Sequence, residues 1–133
     1  MVIYIIKSYD SLMKRLILDL DNTICKTDNG DYKNSLPVND VIERIHKYKK
    51  KGFEIVISTS RNLRTYENNL GKINANTLPI IINWLDKHNI PYDEIYVGKP
   101  WCGTDGFYVD DRAIRPNEFI EMEYEQISMI LKS

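Results

Sequence analysis

The stretch Leu16–Asp28, LILDLDNTICKTD, joins the pattern of a buried strand to two carboxylates placed where that strand ends. Aliphatic residues fill positions 16–18 and 20, and a nearly continuous apolar run of this kind is typical of a parallel strand covered on both faces. Asp19 and Asp21 close the run, although two like charges at one strand end repel each other. The stretch therefore predicts a first strand over residues 14–20 and a charged site at its carboxyl end.

The rest of the chain alternates between strand and helix patterns. The TDNGD cluster within residues 22–36 predicts a small hairpin or flap, and apolar residues at helical spacing between Pro37 and Gly52 predict a helix. Strands are also predicted at Phe53–Ser58, 93–98 (DEIYVG) and 106–111 (GFYVDD), with a short helix and a loop in 62–76, a helix at 79–89 and one or two short helices at 116–131. This alternation predicts a three-layer α/β/α, Rossmann-like domain with a parallel central sheet.

Length and composition predict one domain, residues 1–133, because 133 residues with 43% hydrophobic content suit a single core. The 18 basic and 19 acidic residues give a net charge of −1, which favours neither nucleic acid nor an anionic membrane as a general partner. Two cysteines without CxxC spacing indicate reduced thiols in a cytoplasmic protein. No apolar run approaches the roughly 18 to 20 residues of a membrane span, and the start lacks the features of a signal peptide.

The first twelve residues form a separate feature. Met13 opens MKRLILDLDNT, a plausible N-terminus by itself, so residues 1–12 are interpreted as an N-terminal extension with a strand-like piece at Val2–Ile6. We expect this extension to be dispensable for chemistry. Two other roles stay open, an added edge strand or an association of subunits into a homo-oligomer.

Polar residues follow every predicted strand. In parallel sheets, ligands collect outside the carboxyl ends of the strands, so the side chains found there are expected to meet at one edge. These are Asp19 and Asp21 from the first strand, Ser58, Thr59 and Arg61 from the second, Lys99 after the third, and Asp110 and Asp111 from the fourth.

Carboxylates gathered in this way repel each other unless a hard cation lies among them, and oxygen ligands with room for water suit Mg²⁺ better than zinc. Such a site fits phosphoryl transfer. Asp19 is the candidate nucleophile, Asp21 the candidate acid and base, and Thr59 and Lys99 the candidate ligands of the phosphoryl oxygens. Arg61 is the nearest further cation for an anionic substrate, with a solvated surface role as its alternative.

Four segments carry a family resemblance. DLDNT (Asp19–Thr23), IVISTSR (Ile55–Arg61), Lys99 in VGKP, and YVDD (Tyr108–Asp111) resemble, in order, the four motifs of the haloacid dehalogenase superfamily. The longer wordings STSRNLRTYENNLGKIN and VGKPWCGTDGFYVDDRAIRP resemble small phosphatase-like proteins associated with capsule and surface-polysaccharide biosynthesis.

The resemblance implies a Mg²⁺-dependent phosphatase that forms an aspartyl phosphate on Asp19 and uses Asp21 as general acid and base. It also implies that Mg²⁺ is held by the Asp19 carboxylate, the Asp21 main-chain carbonyl, and one or both of Asp110 and Asp111. One departure is Asn22, where the first motif commonly has glycine, but asparagine tolerates unusual backbone angles.

The spacing of the motifs leaves no room for a cap domain, because 37 residues separate Asp21 from Thr59 and 39 separate Thr59 from Lys99. The site is therefore expected to be open, and we expect a small phosphorylated substrate, a sugar or related surface-polysaccharide precursor, enclosed by the flap, by the 62–76 segment or by a neighbouring subunit. The alternatives are a phosphatase of macromolecular substrates, a phospho-accepting regulatory domain and a non-catalytic domain on the same kind of fold.

Overall fold

The computed structural model describes residues 13–132, and its centre is a three-stranded parallel sheet in the order β1-β4-β5. A second, antiparallel pair, β2 and β3, lies between β1 and the first helix. In chain order the elements are β1 (Arg15–Leu18), β2 (Cys25–Lys26), a 3-10 helix (Tyr32–Asn34), β3 (Leu36–Pro37), α1 (Asn39–Lys50), β4 (Glu54–Thr59), α2 (Leu70–Asn76), α3 (Leu78–Lys87), β5 (Glu94–Val97), α4 (Pro116–Glu121) and α5 (Tyr124–Lys132).

Strand β4 is central because its apolar residues suit burial on both faces. Ile55, Val56 and Ile57 are consecutive and all buried, as expected of a strand with a neighbour on each side. β1 pairs with β4 in the register Leu18 to Ile57, and β4 pairs with β5 on its other edge. Helices connect the parallel strands, so the prediction of an α/β fold with a parallel sheet flanked by helices is confirmed.

The main core lies on one face of this sheet. It joins sheet residues such as Leu18, Ile55 and Ile57 to apolar residues of α1, α3, α4 and α5. Trp84 of α3 belongs to this core, as its apolar neighbours in the sequence predict. On the opposite face Ile17 is largely exposed, so that face is only partly covered by the residues described. The packed face holds the strands in place, and their carboxyl ends remain open.

Helix α1 begins two residues later than the sequence pattern indicates. Pro37 pairs with Cys25 as part of β3, and the first helical residue is Asn39. The predicted end is confirmed, because Gly52 follows the terminal lysine cluster with φ +91°, an angle that costs glycine little. The expected hairpin or flap over 22–36 is also confirmed by the β2–β3 pair.

The predicted fourth strand is wrong. Residues 106–111 form no strand in the described chain, and Val109 is 90% exposed. A strand needs a hydrogen-bonding neighbour, and here the chain doubles back so tightly at Gly106 that a side chain there would collide with the Cys102 carbonyl. Local β propensity in this segment is therefore not sufficient to form a strand.

No cap domain interrupts the part of the chain that the structure describes. The interval between Asp21 and Thr59 is taken up by the hairpin, the 3-10 helix and α1, and the interval between Thr59 and Lys99 by α2, α3 and β5. The tail forms two short helices, α4 and α5, where one or two were predicted.

None of the helices in residues 13–132 has the length and apolar character needed to cross a bilayer. The predicted extension at 1–12 lies outside the described residues.

Candidate active site

Asp19 lies directly after β1, and Lys99 follows β5 by two residues. The Lys99 ammonium Nζ is 3.7 Å from Asp19 Oδ1, and the Lys99 main-chain N–H donates to the carbonyl of Thr59 at 3.1 Å. The parallel sheet therefore brings residues 80 positions apart to one edge, as predicted. An ammonium beside a carboxylate at this edge is an arrangement that can bind an anionic group.

The pKa of Asp19 is raised above its ordinary value, chiefly because burial penalises the charged carboxylate. The positive charge of Lys99 and a main-chain hydrogen bond from Leu20 act in the opposite direction, and the charge of Asp21 raises the pKa further. Asp19 is thus a partly desolvated carboxylate held beside a cation, which strengthens its interaction with any group that enters the site.

The turn after Asp19 is closed by the main chain. The carbonyl of Leu20 accepts hydrogen bonds from the N–H groups of Thr23, Ile24 and Cys25, at 3.2, 2.9 and 3.2 Å. Asn22 adopts φ +63°, the left-handed conformation that the glycine of the resembling motif would also allow. The departure at Asn22 therefore leaves the turn intact.

Asp21 is held in a two-point ion pair with Arg61. Arg61 Nε donates to Asp21 Oδ2 at 3.1 Å and Nη2 donates to Oδ1 at 2.8 Å. The Thr27 hydroxyl also donates to Oδ1, at 3.1 Å. Fork-shaped pairs of this kind are the most directional contacts between arginine and a carboxylate, so the orientation of Asp21 is set by a residue 40 positions away.

The Arg61 side chain is only 2% exposed and lies under the flap. Its guanidinium carbon is 4.2 Å from the centre of the Tyr32 ring, within cation–π range. One nitrogen, Nη1, is buried without a hydrogen-bond partner among the described residues. The sequence does not predict either the Asp21 contact or the Tyr32 cover, since neither follows from local spacing.

Thr59 ends β4 and is buried, on the face of the strand that carries Ile55 and Ile57. Its hydroxyl accepts a hydrogen bond from the main-chain N–H of Arg61 at 3.1 Å, which shapes the turn at the strand end. Ser58 lies on the opposite face of the strand, as the alternation predicts. Thr59 is thus joined to the Arg61 main chain through its hydroxyl and to the Lys99 main chain through its carbonyl.

Tyr108 lies against Lys99, a contact that the sequence alone does not predict. The Lys99 ammonium lies 4.5 Å from the centre of the Tyr108 ring, and the Tyr108 hydroxyl donates to the carbonyl of Pro100 at 2.7 Å. Burial is the main cause that raises the pKa of Tyr108, and the nearby charge of Asp19 contributes. The feature of the sequence that could have indicated this position is that Tyr108 opens the segment YVDD.

The predicted metal ligands come together only in part. Asp110 and Asp111 are exposed, and Asp110 Oδ1 accepts from the main-chain N–H of Arg112 at 2.8 Å. Within residues 13–132 no three acidic, histidine or cysteine side chains gather where they could hold a metal ion. Asp19 is the carboxylate left for Mg²⁺, and its chemistry fits that ion, which often takes one or two carboxylates together with water and substrate oxygens.

The two cysteines differ in burial, which gives a first test of the site. Cys25 is buried, and burial together with the negative charge of Asp21 raises its pKa to about 11. Because the thiolate is the reactive form, we expect a thiol reagent at pH 8 to modify one thiol per native chain rapidly and the second only after unfolding. The variant Cys102→Ser should lose the fast thiol. Rapid modification of Cys25 in the native Cys102→Ser variant would contradict the described burial.

Comparison with known proteins shows the family to which the chain belongs. The family model described as haloacid dehalogenase-like hydrolase matches residues 16–88, more than half of the chain. A search of curated proteins found no match. Among solved structures, a structural-genomics target from Vibrio cholerae is 62% identical, with a TM-score of 0.88, over 90% of this chain and 98% of that one.

Two more distant structures were also found. A D,D-heptose 1,7-bisphosphate phosphatase from B. bronchiseptica, complexed with magnesium and phosphate, is 17% identical with a TM-score of 0.44 and covers 64% of this chain and 49% of its own. The Pnkp1/Rnl/Hen1 complex contains a chain that is 18% identical with a TM-score of 0.49 over 77% of this chain and 32% of its own. At these identities and TM-scores neither structure adds to the assignment.

Proposed function

Because the chain belongs to the haloacid dehalogenase-like hydrolase family, we propose that it is a phosphatase that hydrolyses a phosphate monoester through a phosphoryl group carried on Asp19. The observation that supports this most directly is the Asp19 carboxylate at the end of β1, partly desolvated and 3.7 Å from the Lys99 ammonium. A nucleophilic carboxylate and a cation for phosphoryl oxygens are the two groups that such a reaction needs side by side.

In the first step an Asp19 carboxylate oxygen attacks phosphorus, and the bond from phosphorus to the ester oxygen breaks. The electron pair of the broken bond stays with the departing oxygen, which takes a proton from Asp21. A phosphoryl group is left on Asp19. In the second step a water molecule gives a proton to Asp21 while its oxygen bonds to phosphorus, and the bond to Asp19 breaks. Proton transfer of this kind contributes roughly 10²- to 10⁴-fold, so positioning and charge stabilisation must supply most of the acceleration.

Water has a route to Asp21 in this scheme. A pocket of about 220 Å³ is lined by Asp21, Asn22, Thr27, Gly30 and Tyr32, at the junction of the strand end and the flap. The pocket has room for several water molecules. The water molecule that attacks in the second step can therefore reach Asp21.

Arg61 acts in this scheme through Asp21. Its fork fixes the direction of the Asp21 carboxylate, so it is a positioning residue for the acid and base. The predicted substrate-binding role of Arg61 is retained through Nη1, which has no hydrogen-bond partner among residues 13–132 and is proposed to donate to a phosphoryl oxygen. Thr59 is proposed to keep the strand end in shape and to offer its hydroxyl to the same phosphoryl group.

A requirement for Mg²⁺ is part of the proposal. The Asp19 carboxylate would hold the ion, together with the Asp21 main-chain carbonyl, water and substrate oxygens, and the ion would supply charge neutralisation at the phosphoryl group. Asp110 and Asp111 join this ligand set only if the 106–111 segment takes another position, so they stay in the proposal as alternatives.

The substrate is proposed to be small and phosphorylated, a sugar or a related precursor of surface polysaccharide. The uncapped site and the flap beside it support a substrate that the protein partly encloses, and the net charge of −1 does not favour a large polyanion. Hydrolysis of macromolecular substrates is the second candidate, since an open site also admits them.

The proposal is tested by phosphate release from acetyl phosphate, an aryl phosphate and a panel of sugar phosphates and nucleotides, with the full chain and added Mg²⁺. We expect release from at least one substrate, loss of that release with EDTA and recovery when Mg²⁺ is restored in excess. An absence of release across the panel would favour the non-catalytic or phospho-accepting alternatives. Release that persists in EDTA would overturn the metal requirement alone.

A further inference from the structure

A second cleft lies beside the chain that directly follows Lys99, since Pro100 and Trp101 line it. It has a volume of about 520 Å³ and is lined by Leu63, Arg64, Glu67, Asn68, Pro100 and Trp101. This volume lies within the range of roughly 300 to 1,000 Å³ that is typical of small-molecule sites. We propose that the cleft is the subsite for the leaving group of the substrate, and that it takes a neutral polyhydroxyl group of monosaccharide size. The inference rests on the proposed phosphatase function.

The position of the cleft is set by the residues that follow β5. Trp101 is two residues from Lys99, so their Cα atoms are at most about 7 Å apart. The main chain between them is fixed at both sides, because the Lys99 N–H donates to the Thr59 carbonyl and the Pro100 carbonyl accepts from the Tyr108 hydroxyl. Pro100 and Trp101, which line the cleft, therefore follow Lys99 directly in a stretch of chain that is held in place.

The opposite wall is a preformed turn. Glu67 and Asn68 adopt φ +50° and +66°, two successive left-handed residues, neither of which is glycine. The turn is held by hydrogen bonds from the Asn68 N–H to the Leu63 carbonyl at 2.9 Å and from the Glu67 N–H to the Arg64 carbonyl at 3.2 Å. Such conformations cost free energy in residues other than glycine and persist only where the surrounding structure holds them, so this wall of the cleft is fixed in shape.

The chemistry of the lining decides between ligand classes. Arg64 and Glu67 carry opposite charges, so the cleft has no net charge to attract a second phosphate. Trp101 presents a ring that is 46% exposed, and the Arg64 guanidinium carbon lies 5.6 Å from its centre. An aromatic face beside one donor group, one acceptor group and one amide matches a group that has apolar C–H faces and hydroxyls at its rim.

A nucleobase would also stack on Trp101, but it would need an apolar surface on its second face. The cleft offers only Leu63 and Pro100 as apolar partners, and Leu63 is buried. The remaining wall consists of charged and amide side chains. We therefore favour a sugar over a nucleoside, and the nucleoside becomes an outcome of the test.

The binding test uses the fluorescence of the two tryptophans, of which Trp84 is 3% exposed and Trp101 is half exposed. Acrylamide should therefore quench mainly Trp101. In the full-length Asp19→Asn variant, which cannot turn over, we expect at least one of a panel of hexose 1- and 6-phosphates at millimolar concentration to halve the quenching constant or lower it further. Inorganic phosphate and nucleoside monophosphates should leave the constant unchanged, and Trp101→Phe in the same background should remove the response.

Two results overturn the proposal. One is quenching that no hexose phosphate alters, and the other is protection by nucleoside monophosphates equal to or stronger than that by sugars. Because the readout is binding to a variant without turnover, failure here is distinct from failure of the phosphatase proposal, which acetyl phosphate hydrolysis by the unaltered protein tests separately.

A kinetic comparison gives a second measurement. We expect Trp101→Ala to lower kcat/KM for the best hexose phosphate by about 3- to 10-fold, the loss typical of one aromatic stacking contact. Hydrolysis of acetyl phosphate, whose leaving group is too small to reach the cleft, should be unchanged. The matched control is Tyr96→Ala, which removes another exposed aromatic residue on β5 and should alter neither reaction. An equal loss with both substrates would contradict a leaving-group subsite.

Discussion

Replacing Asp19 by asparagine is expected to lower phosphate release by at least about 1,000-fold, because the amide has the shape of the carboxylate but cannot form the acyl phosphate. The measurement is kcat/KM with acetyl phosphate and with the best substrate of the panel. The variant should fold, since it removes a carboxylate whose pKa burial has raised, and a thermal melting curve in the absence of metal should show a Tm no lower than that of the unaltered protein.

The sign of that stability effect follows from the direction of the pKa shift. A carboxyl group whose pKa is higher in the folded than in the unfolded protein favours folding when it is protonated. This advantage is fully present below the unfolded pKa and is lost as the pH rises through the folded pKa. At neutral pH the charged Asp19 therefore opposes folding, and asparagine does not. The loss of the Lys99 contact offsets part of this gain.

A matched control separates the loss of a nucleophile from the loss of a negative charge. Asp40 is exposed in the first turn of α1 and takes part in none of the hydrogen bonds and ion pairs described at the site, so Asp40→Asn should keep full activity. Asp21→Asn should reduce activity strongly, and with a poor leaving group more than with acetyl phosphate, because only the poor leaving group depends on a proton from Asp21. Substantial turnover by Asp19→Asn would rule out the covalent route.

Replacing Arg61 by alanine is expected to lower the free energy of unfolding by about 2 to 3 kcal/mol. Breaking a fully buried pair typically costs roughly 3 to 5 kcal/mol, and the value here is smaller because the Asp21 side chain is 29% exposed and water can reach it. The loss of stability has two sources. The substitution removes both hydrogen bonds from the Arg61 guanidinium to Asp21, and it removes the group on which the Tyr32 ring packs. Urea denaturation followed by circular dichroism measures the change.

The same variants separate positioning from general stabilisation. Arg61→Lys keeps a positive charge but loses the two-point contact, so it should recover part of the stability while activity stays low and the pH profile of kcat changes. Arg112→Ala removes an exposed arginine and is the control, expected to lie within about 0.5 kcal/mol of the unaltered protein. An Arg61→Ala variant as stable and active as this control would show that the Asp21 pair has neither role.

Some features of the fold could be predicted because they depend on short-range patterns. The aliphatic run before Asp19, the alternation of strands and helices, and the turn residues of the flap each report burial or backbone conformation within a few residues. The position of Lys99 beside Asp19 followed from one topological rule, that parallel strands end at the same edge. The resemblance of four ordered motifs predicted the family, which the match over residues 16–88 shows.

Other features depended on contacts between distant segments. The 106–111 segment has the composition of a strand, but a strand exists only where a neighbouring backbone pairs with it, and no short-range pattern reports that. Arg61 was the candidate cation for an anionic substrate, with a solvated surface role as its alternative. The structure buries its side chain, pairs the guanidinium with Asp21 and covers it with Tyr32, so the surface alternative is wrong. Whether an arginine points to solvent or into a cleft depends on which acceptors the fold places within its reach.

The sequence by itself determined which strand of the parallel sheet carries each group of the site. A buried strand leads to Asp19 and Asp21, the second predicted strand leads to the Thr59 hydroxyl, and Lys99 follows the third. Only the tertiary structure decided how these groups are arranged, with Asp19 facing Lys99, Asp21 held by Arg61, and Trp101 forming the wall of a neighbouring cleft. The physical reason is range. Periodicity and turn chemistry act over a few residues, whereas desolvation, ion pairing and cleft shape arise when segments far apart in the chain pack together.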